Sequence, residues 1–181
     1  MKSRLFILGL SLVFLPFVCF SPVVRGQSAN STPANTTHAY TPYEELILKN
    51  VSQFHKNFNN RDWEKNGLLV ADDLHVNSNG VEFTGRDAFV KRIARFAGPF
   101  PDVKLDDQVI IVDGNKAVIR FVITGTQKGD FQTPEGVIPA SNRAIKIDGI
   151  EFFTFNEEGK LIDLLTVENL GQLVQQIKGK S

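Results

Sequence analysis

Residues 118–129 read V-I-R-F-V-I-T-G-T-Q-K-G. β-Branched and aromatic side chains follow one another here with no helix-favouring break, so the stretch is predicted as a strand. Alternation puts Ile119, Phe121 and Ile123 on one face and Val118, Arg120, Val122 and Thr124 on the other. The far end turns into Gly125-Thr126-Gln127-Lys128-Gly129. A buried strand that ends in glycines and hydrogen-bonding side chains can form the wall, and then the polar end, of a pocket. The rest of the chain is read as helices and strands arranged around that wall.

Downstream, the pattern is almost all strand. Leu105–Val112 joins the central strand through the hairpin turn Asp113-Gly114-Asn115-Lys116. Residues 132–142 read as a loop with two prolines. Ala144–Phe155 is a long strand, and Asn156-Glu157-Glu158-Gly159 turns the chain into Lys160–Glu168. A final helix, Leu170–Ile177, carries Leu170, Leu173, Val174 and Ile177 inward. Upstream, Thr41-Pro42 opens a helix, with Glu44 and Glu45 beside its positive end. Tyr43, Leu46, Ile47, Val51, Phe54 and Phe58 recur at helical spacing, and Asn59-Asn60-Arg61-Asp62 breaks the run. Trp63–Leu69 is a second short helix. Leu74–Asn77 and Val81–Phe83 form a small hairpin around Asn79-Gly80. Thr84-Gly85-Arg86-Asp87 starts a third helix with Phe89, Val90, Ile93, Ala94 and Phe96 as its buried stripe, and Pro99 and Pro101 follow it. Helices first and a meander after give an α+β fold: three N-terminal helices packed on one face of a strongly bent antiparallel sheet, with a short C-terminal helix.

Lys2 and Arg4 precede an apolar run, Leu5–Phe20, and Val24-Arg25-Gly26 supplies a cleavage pattern. Residues 1–26 are therefore expected to be a signal peptide cut after Gly26, with Ala29 the second choice. The run is short for a membrane span and contains Pro16. Export to a periplasm or the exterior follows, with no membrane association after cleavage. Residues 27–40 are polar and non-periodic, a flexible linker to a domain over 41–181. Three Asn-X-Ser/Thr matches, at Asn30, Asn35 and Asn50, are acceptor sites only in a eukaryotic source. Residues 27–181 carry 17 Lys plus Arg against 20 Asp plus Glu, so they lack the basic excess of a nucleic-acid binder. The single cysteine, Cys19, lies in the signal, which leaves the domain no disulfide and no thiolate chemistry. Three histidines without a paired spacing give no metal site. No phosphate-cradling or nucleotide motif is present. No cofactor is expected.

Several short motifs, in order, resemble the SnoaL-like polyketide cyclases, also called ester cyclases, of the nuclear-transport-factor-2-like superfamily. They are Asn60-Arg61-Asp62-Trp63, Ala71-Asp72-Asp73-Leu74-His75, Thr84-Gly85-Arg86-Asp87, Phe100-Pro101-Asp102, Gly125-Thr126-Gln127-Lys128-Gly129-Asp130-Phe131, Ile138-Pro139-Ala140-Ser141-Asn142-Arg143, Gly149-Ile150-Glu151-Phe152 and Gly159-Lys160-Leu161. The resemblance implies a cone-shaped barrel and cofactor-free aldol closure of a polyketide ester. That chemistry needs a carboxylate base beside a carbonyl and a donor for the enolate. This chain departs at the site: Gln127 stands where the family has histidine, Asn169 where it has the catalytic aspartate, and Leu165 where an aromatic is usual. An amide cannot take up a proton near neutral pH.

The residues then sort as follows. Gln127 and Asn169 are read as pocket amides that position a ligand, sharing faces with Phe121 and Ile123, and with Leu165 and Val167, respectively. The other reading of Asn169 is a cap for the last helix. Glu151 shares a face with Ile147, Phe153 and Phe155 and is a candidate base, or else an edge or interface residue paired with a lysine or arginine. His75 is a second candidate base, or else an exposed strand histidine. His55 is placed on the polar side of the first helix. Trp63, Phe121, Phe153 and Leu165 are candidate pocket lining. The expected ligand is a small hydrophobic carbonyl-containing molecule. The protein is either a cyclase- or isomerase-like enzyme or a non-catalytic binding protein of the same fold. A homodimer through the outer sheet face, at Arg120, Val122 and Thr124, is also expected.

Overall fold

Twelve elements follow one another in the computed structural model, which describes residues 39–179. The expected signal peptide and all but the last two residues of the linker lie outside the described residues. The order is α1 (Pro42–Asn60), α2 (Trp63–Leu68), β1 (Val70–Ser78), β2 (Val81–Thr84), α3 (Arg86–Ala97), β3 (Lys104–Asp113), β4 (Lys116–Thr126), β5 (Phe131–Thr133), β6 (Gly136–Ile138), β7 (Ala144–Phe155), β8 (Leu161–Glu168) and α4 (Leu170–Lys178). This is the α+β cone expected from the sequence, with a strongly curved six-stranded sheet.

The sheet order is β2-β1-β8-β7-β4-β3. Its neighbours are antiparallel except β1 and β8, which run parallel because the chain reaches β8 only after the whole meander. The stretch read as a loop over residues 132–142 instead begins as part of a separate small hairpin, β5–β6. Gly136, at φ 126°, closes its turn after Pro134. Asn79 and Gly80, at φ 51° and 84°, make the β1–β2 turn with both central residues left-handed, as an Asn-Gly hairpin requires.

Helix α1 starts on a capping box. The Thr41 hydroxyl accepts from the Glu44 amide at 3.2 Å, and the Glu44 carboxylate accepts from the Thr41 amide at 2.8 Å. The second Glu44 oxygen accepts from the Gly114 amide at 3.0 Å, which ties the helix start to the β3–β4 turn. From there Ile47, Val51, Phe54, His55 and Phe58 face the sheet. The inner face of β4 is Ile119, Phe121 and Ile123, all buried. On β3 the register slips between Asp107 opposite Phe121 and Val109 opposite Arg120. Gln108 is the extra residue, and this bulge lets Leu105 and Asp107 face the interior before it and Ile110 and Val112 after it. Helix α4 is held to β7 by Gln176, whose amide accepts from Lys146 N–H at 2.8 Å and donates to Lys146 C=O at 2.9 Å.

Gly149 is a tight point of the sheet. It sits opposite Phe121 on β4 and Glu168 on β8. A Cβ at this position would lie 2.5 Å from the Phe121 ring. Gly149→Ala is expected to cost about 1–3 kcal/mol through overpacking, read as a lower urea midpoint with unchanged slope. An unchanged midpoint would show that the Phe121 ring has room to move.

Candidate functional site

Helices α1 and α3 and the inner face of the sheet enclose a cavity of about 540 Å³. Phenylalanine is the commonest residue of its wall: Phe54 and Phe58 come from α1, Phe89 and Phe96 from α3, Phe121 and Phe153 from the sheet. Pairing between strands orders the inward residues into rows. Ser78, Thr166, Glu151 and Ile119 form one row across β1, β8, β7 and β4. Glu168, Gly149, Phe121 and Asp107 form the next, across β8, β7, β4 and β3.

His55 drops from α1 between these rows. Its Nε2 lies 3.0 Å from Glu151 Oε2, and its Nδ1 hydrogen-bonds to Asp107 Oδ1. Its ring meets Phe121 edge-on at 4.8 Å. Burial alone would lower the imidazole's pKa. Hydrogen bonds to Asp107 and Glu151, and their charge, outweigh burial and push it up to about 9. At neutral pH both ring nitrogens therefore carry protons, and both donate.

Besides Glu151 and the exposed Asp130, the cavity is lined by the carboxyl of Glu168, at the end of β8. Asn79 holds it reciprocally. The Asn79 Nδ2 donates to Glu168 Oε2 at 3.1 Å, and the Glu168 amide donates to Asn79 Oδ1 at 2.9 Å. Burial and then the negative charge of Glu151 push the Glu168 pKa up to about 7, against the pull of the Asn79 bond and of Arg92. Two carboxyls in one apolar cavity thus have different surroundings. One is bound to an imidazolium; the other is poised to gain or lose a proton near neutrality. Arg92 and Arg95 of α3 line the same cavity from its exposed side, and Arg92 donates to the Ser78 hydroxyl at 2.8 Å.

Glu151, Phe121 and Phe153 line the cavity. The other expected site residues stand elsewhere. His75 is half-exposed on β1 and pairs with Asp163 at 2.7 Å. Gln127 is fully buried but outside the cavity lining; its amide donates to the carbonyls of Gly129, Ile138 and Pro139 and accepts from Ser141, fastening the segment that carries β5 and β6. Asn169 caps α4, accepting from the Gln172 amide at 3.0 Å. Trp63 packs against Phe58 at 5.4 Å rather than into the cavity. Leu165 and Val167 point outward, which corrects the face assigned to β8. Leu164, Thr166 and Glu168 are the inward set, and a one-residue slip exchanges the faces of a strand.

The reading of His55 as a residue of the polar side is also corrected. Positions 47, 51, 54, 55 and 58 form one helical face, so the spacing carried that signal. The alternation of β8 points at Glu168 only when counted from Leu164, because Leu161, also buried, has the opposite parity and lies beyond a register shift. Asp107 had no such signal, because the bulge at Gln108 is invisible in an alternation count. Among the described residues no group of three or more His, Cys, Asp or Glu side chains is placed to hold a metal ion.

The comparisons with known proteins agree with this architecture. A family model described as "SnoaL-like domain" matches residues 51–164. Among solved structures, a protein assigned to the SnoaL-like polyketide cyclases from Jannaschia sp. CCS1 superposes with a TM-score of 0.68 at 18% identity, covering 77% of this chain and 96% of its own. A protein assigned as a polyketide cyclase from Xanthomonas campestris pv. campestris gives 0.66 at 22%, covering 75% and 98%. TsrD from Streptomyces laurentii gives 0.65 at 23%, covering 76% and 97%. At these identities the likeness speaks to the fold. No curated protein matches the chain. On the family match over residues 51–164, the chain belongs to the family of SnoaL-like domains.

Proposed function

We propose that the cavity binds a small, mostly apolar carbonyl compound and moves a proton on the carbon next to the carbonyl, without a cofactor. Glu168 carries this reading: a carboxyl in an apolar cavity whose pKa is pushed up to about 7. The Glu168 carboxylate takes the proton, the C–H electron pair moves toward the carbonyl oxygen, and the protonated Glu168 can return the proton to another carbon. In a cyclase the same carbanion would instead attack a second carbonyl. Glu151, one of the two candidate bases in the sequence, is bound to the His55 imidazolium at 3.0 Å and acts as the fixed charge that raises Glu168.

The experiment is deuterium incorporation into β-tetralone, a bicyclic aromatic ketone, in heavy water. Saturable exchange above the buffer rate supports the reading. Saturable binding without exchange supports the second reading, a binding protein. That alternative first rested on Gln127 and Asn169 standing where the family has histidine and aspartate. Neither amide lines the cavity.

A homodimer through the outer sheet face belongs to the same proposal. Ile111, Val118, Phe152 and Leu165 run side by side across β3, β4, β7 and β8, and Ile150 and Val167 pair in the next row. Ile111 is 58% exposed and Phe152 48%, so the row is an apolar stripe without cover in one chain. Phe152→Glu is expected to convert a sedimenting dimer to monomer; a wild-type monomer at high concentration would refute the interface. Export is proposed on the basic start and the apolar run Leu5–Phe20. N-terminal sequencing of the secreted protein is expected to begin at Gln27, and a chain retaining Met1 would contradict it.

A further inference from the structure

Two guanidinium groups stand at the mouth of the phenylalanine-lined cavity. Arg92 and Arg95 lie one turn apart on α3, and both line the cavity while remaining exposed. Arg92 reaches from α3 to β1. Its Nη2 donates to the Ser78 hydroxyl at 2.8 Å, and Ser78 is a buried cavity residue in the row of Thr166 and Glu151. The guanidinium carbon of Arg92 also stands 5.8 Å from the centre of the Phe83 ring, another part of the wall. Among the described residues neither arginine is paired with a carboxylate, and Arg95 makes no hydrogen bond. Arg95 occupies the last turn of α3, where a cation suits the helix dipole. The dipole accounts for a cation at that turn, but not for its place on the cavity.

The other charges around the cavity decide where an anion can lie. Further in, the His55 imidazolium faces the carboxylates of Asp107 and Glu151, and Glu168 adds a third carboxyl. The interior therefore repels an anion, and the rim attracts one. Asp130, the acidic residue of the rim, is exposed and accepts from the Ala140 amide at 3.3 Å. It offsets one of the two positive charges, and the single charge left suits a carboxylate better than a dianionic phosphate monoester. A guanidinium fork matches a carboxylate, with two N–H groups aimed at two oxygens, and such charge-assisted bonds are roughly twice as strong as neutral ones.

We propose that the ligand is an apolar carboxylate, with its acid group held between Arg92 and Arg95 at the mouth and its apolar body among the phenylalanines. This rests on the reading that the cavity holds a small, mostly apolar molecule, but not on proton transfer. Arg92, already turned by Ser78 and Phe83, and Arg95, which has no bond to give up, are the specificity-determining pair.

The test titrates β-naphthoate, β-naphthylacetate and β-naphthylpropanoate into the protein near neutral pH at low salt. Each is set beside its primary amide, which keeps the shape and loses the charge. Naphthalene fluorescence reads binding without turnover, so the outcome is separate from that of the exchange assay. At least one acid is expected to bind about tenfold tighter than its amide, with the ratio shrinking as salt is added. The ratio is expected to fall to about one when Arg92→Gln and Arg95→Gln are combined. Should that double variant fail to fold, Arg95→Gln alone, which breaks no bond among the described residues, is expected to lower the ratio about threefold or more, and Asp130→Asn to raise it. No preference for any acid, including no binding at all, overturns the proposal. So does a preference that survives both arginine substitutions, or β-naphthyl phosphate binding more tightly than every acid. An acid preference without exchange of β-tetralone would uphold this proposal and remove the proton-transfer reading.

Discussion

His55→Ala is expected to cost about 3–5 kcal/mol of folding stability at neutral pH, the range for removing one partner of a buried ion pair. The ring bridges Asp107 and Glu151, whose side chains are 25% and 15% exposed. Alanine would leave two carboxylates facing one another across a gap, with little water to screen them. It would also remove the edge contact with Phe121. The partial exposure of Asp107 draws the effect toward the lower end. His55→Gln, which can still donate to one carboxylate, is expected to recover part of the loss. A cost below 1 kcal/mol would show that the three groups do not act as one unit.

The same group sets a pH dependence. The folded pKa, about 9, lies above the ordinary 6.5, so folding takes up a proton between those values. The stabilisation is complete below pH 6.5 and is lost as pH rises through 9. The wild type is expected to lose on the order of 3 kcal/mol over that interval, a slope that His55→Ala removes. Parallel curves for the two proteins would contradict the imidazolium assignment.

Legibility in the sequence followed the physics of each element. β4 was readable because its alternation is unbroken, and the Asn-Gly turn because few other dipeptides adopt its backbone. Glu151 was readable from the alternation of β7, whose inner face is otherwise apolar. The site failed where one residue of offset mattered. Matching Asn169 to a catalytic aspartate reversed the two faces of β8 and hid Glu168, its immediate neighbour. Gln127 misled because full burial and hydrogen-bonding capacity look the same in sequence whether the partners are a ligand or the Gly129, Ile138 and Pro139 carbonyls. His55 was placed on the polar side of α1, although its position falls on the helical face of Ile47, Val51, Phe54 and Phe58. Asp107 depends on a bulge, and a bulge shows only in pairing.

Glu168→Gln is expected to combine lost activity with gained stability. The raised pKa means that the folded protein holds a proton the unfolded chain has released between pH 4.5 and 7. Stability from this group is present below pH 4.5 and falls as pH rises through 7. A neutral amide of the same shape avoids that loss, so the variant is expected to be more stable than wild type at pH 8, by roughly 1–3 kcal/mol. Reduced exchange in Glu168→Gln could then not be assigned to unfolding.

The deciding measurement is the rate of deuterium incorporation into β-tetralone as a function of pH, for wild type and Glu168→Gln. Wild-type exchange is expected to rise with pH through a midpoint near 7 and then level off as Glu168 becomes ionised. Glu168→Gln is expected to fall by about 10²- to 10⁴-fold, the usual contribution of a positioned base, and to lose the midpoint. A variant that exchanges at the wild-type rate with the same midpoint would contradict Glu168 as the group that moves the proton.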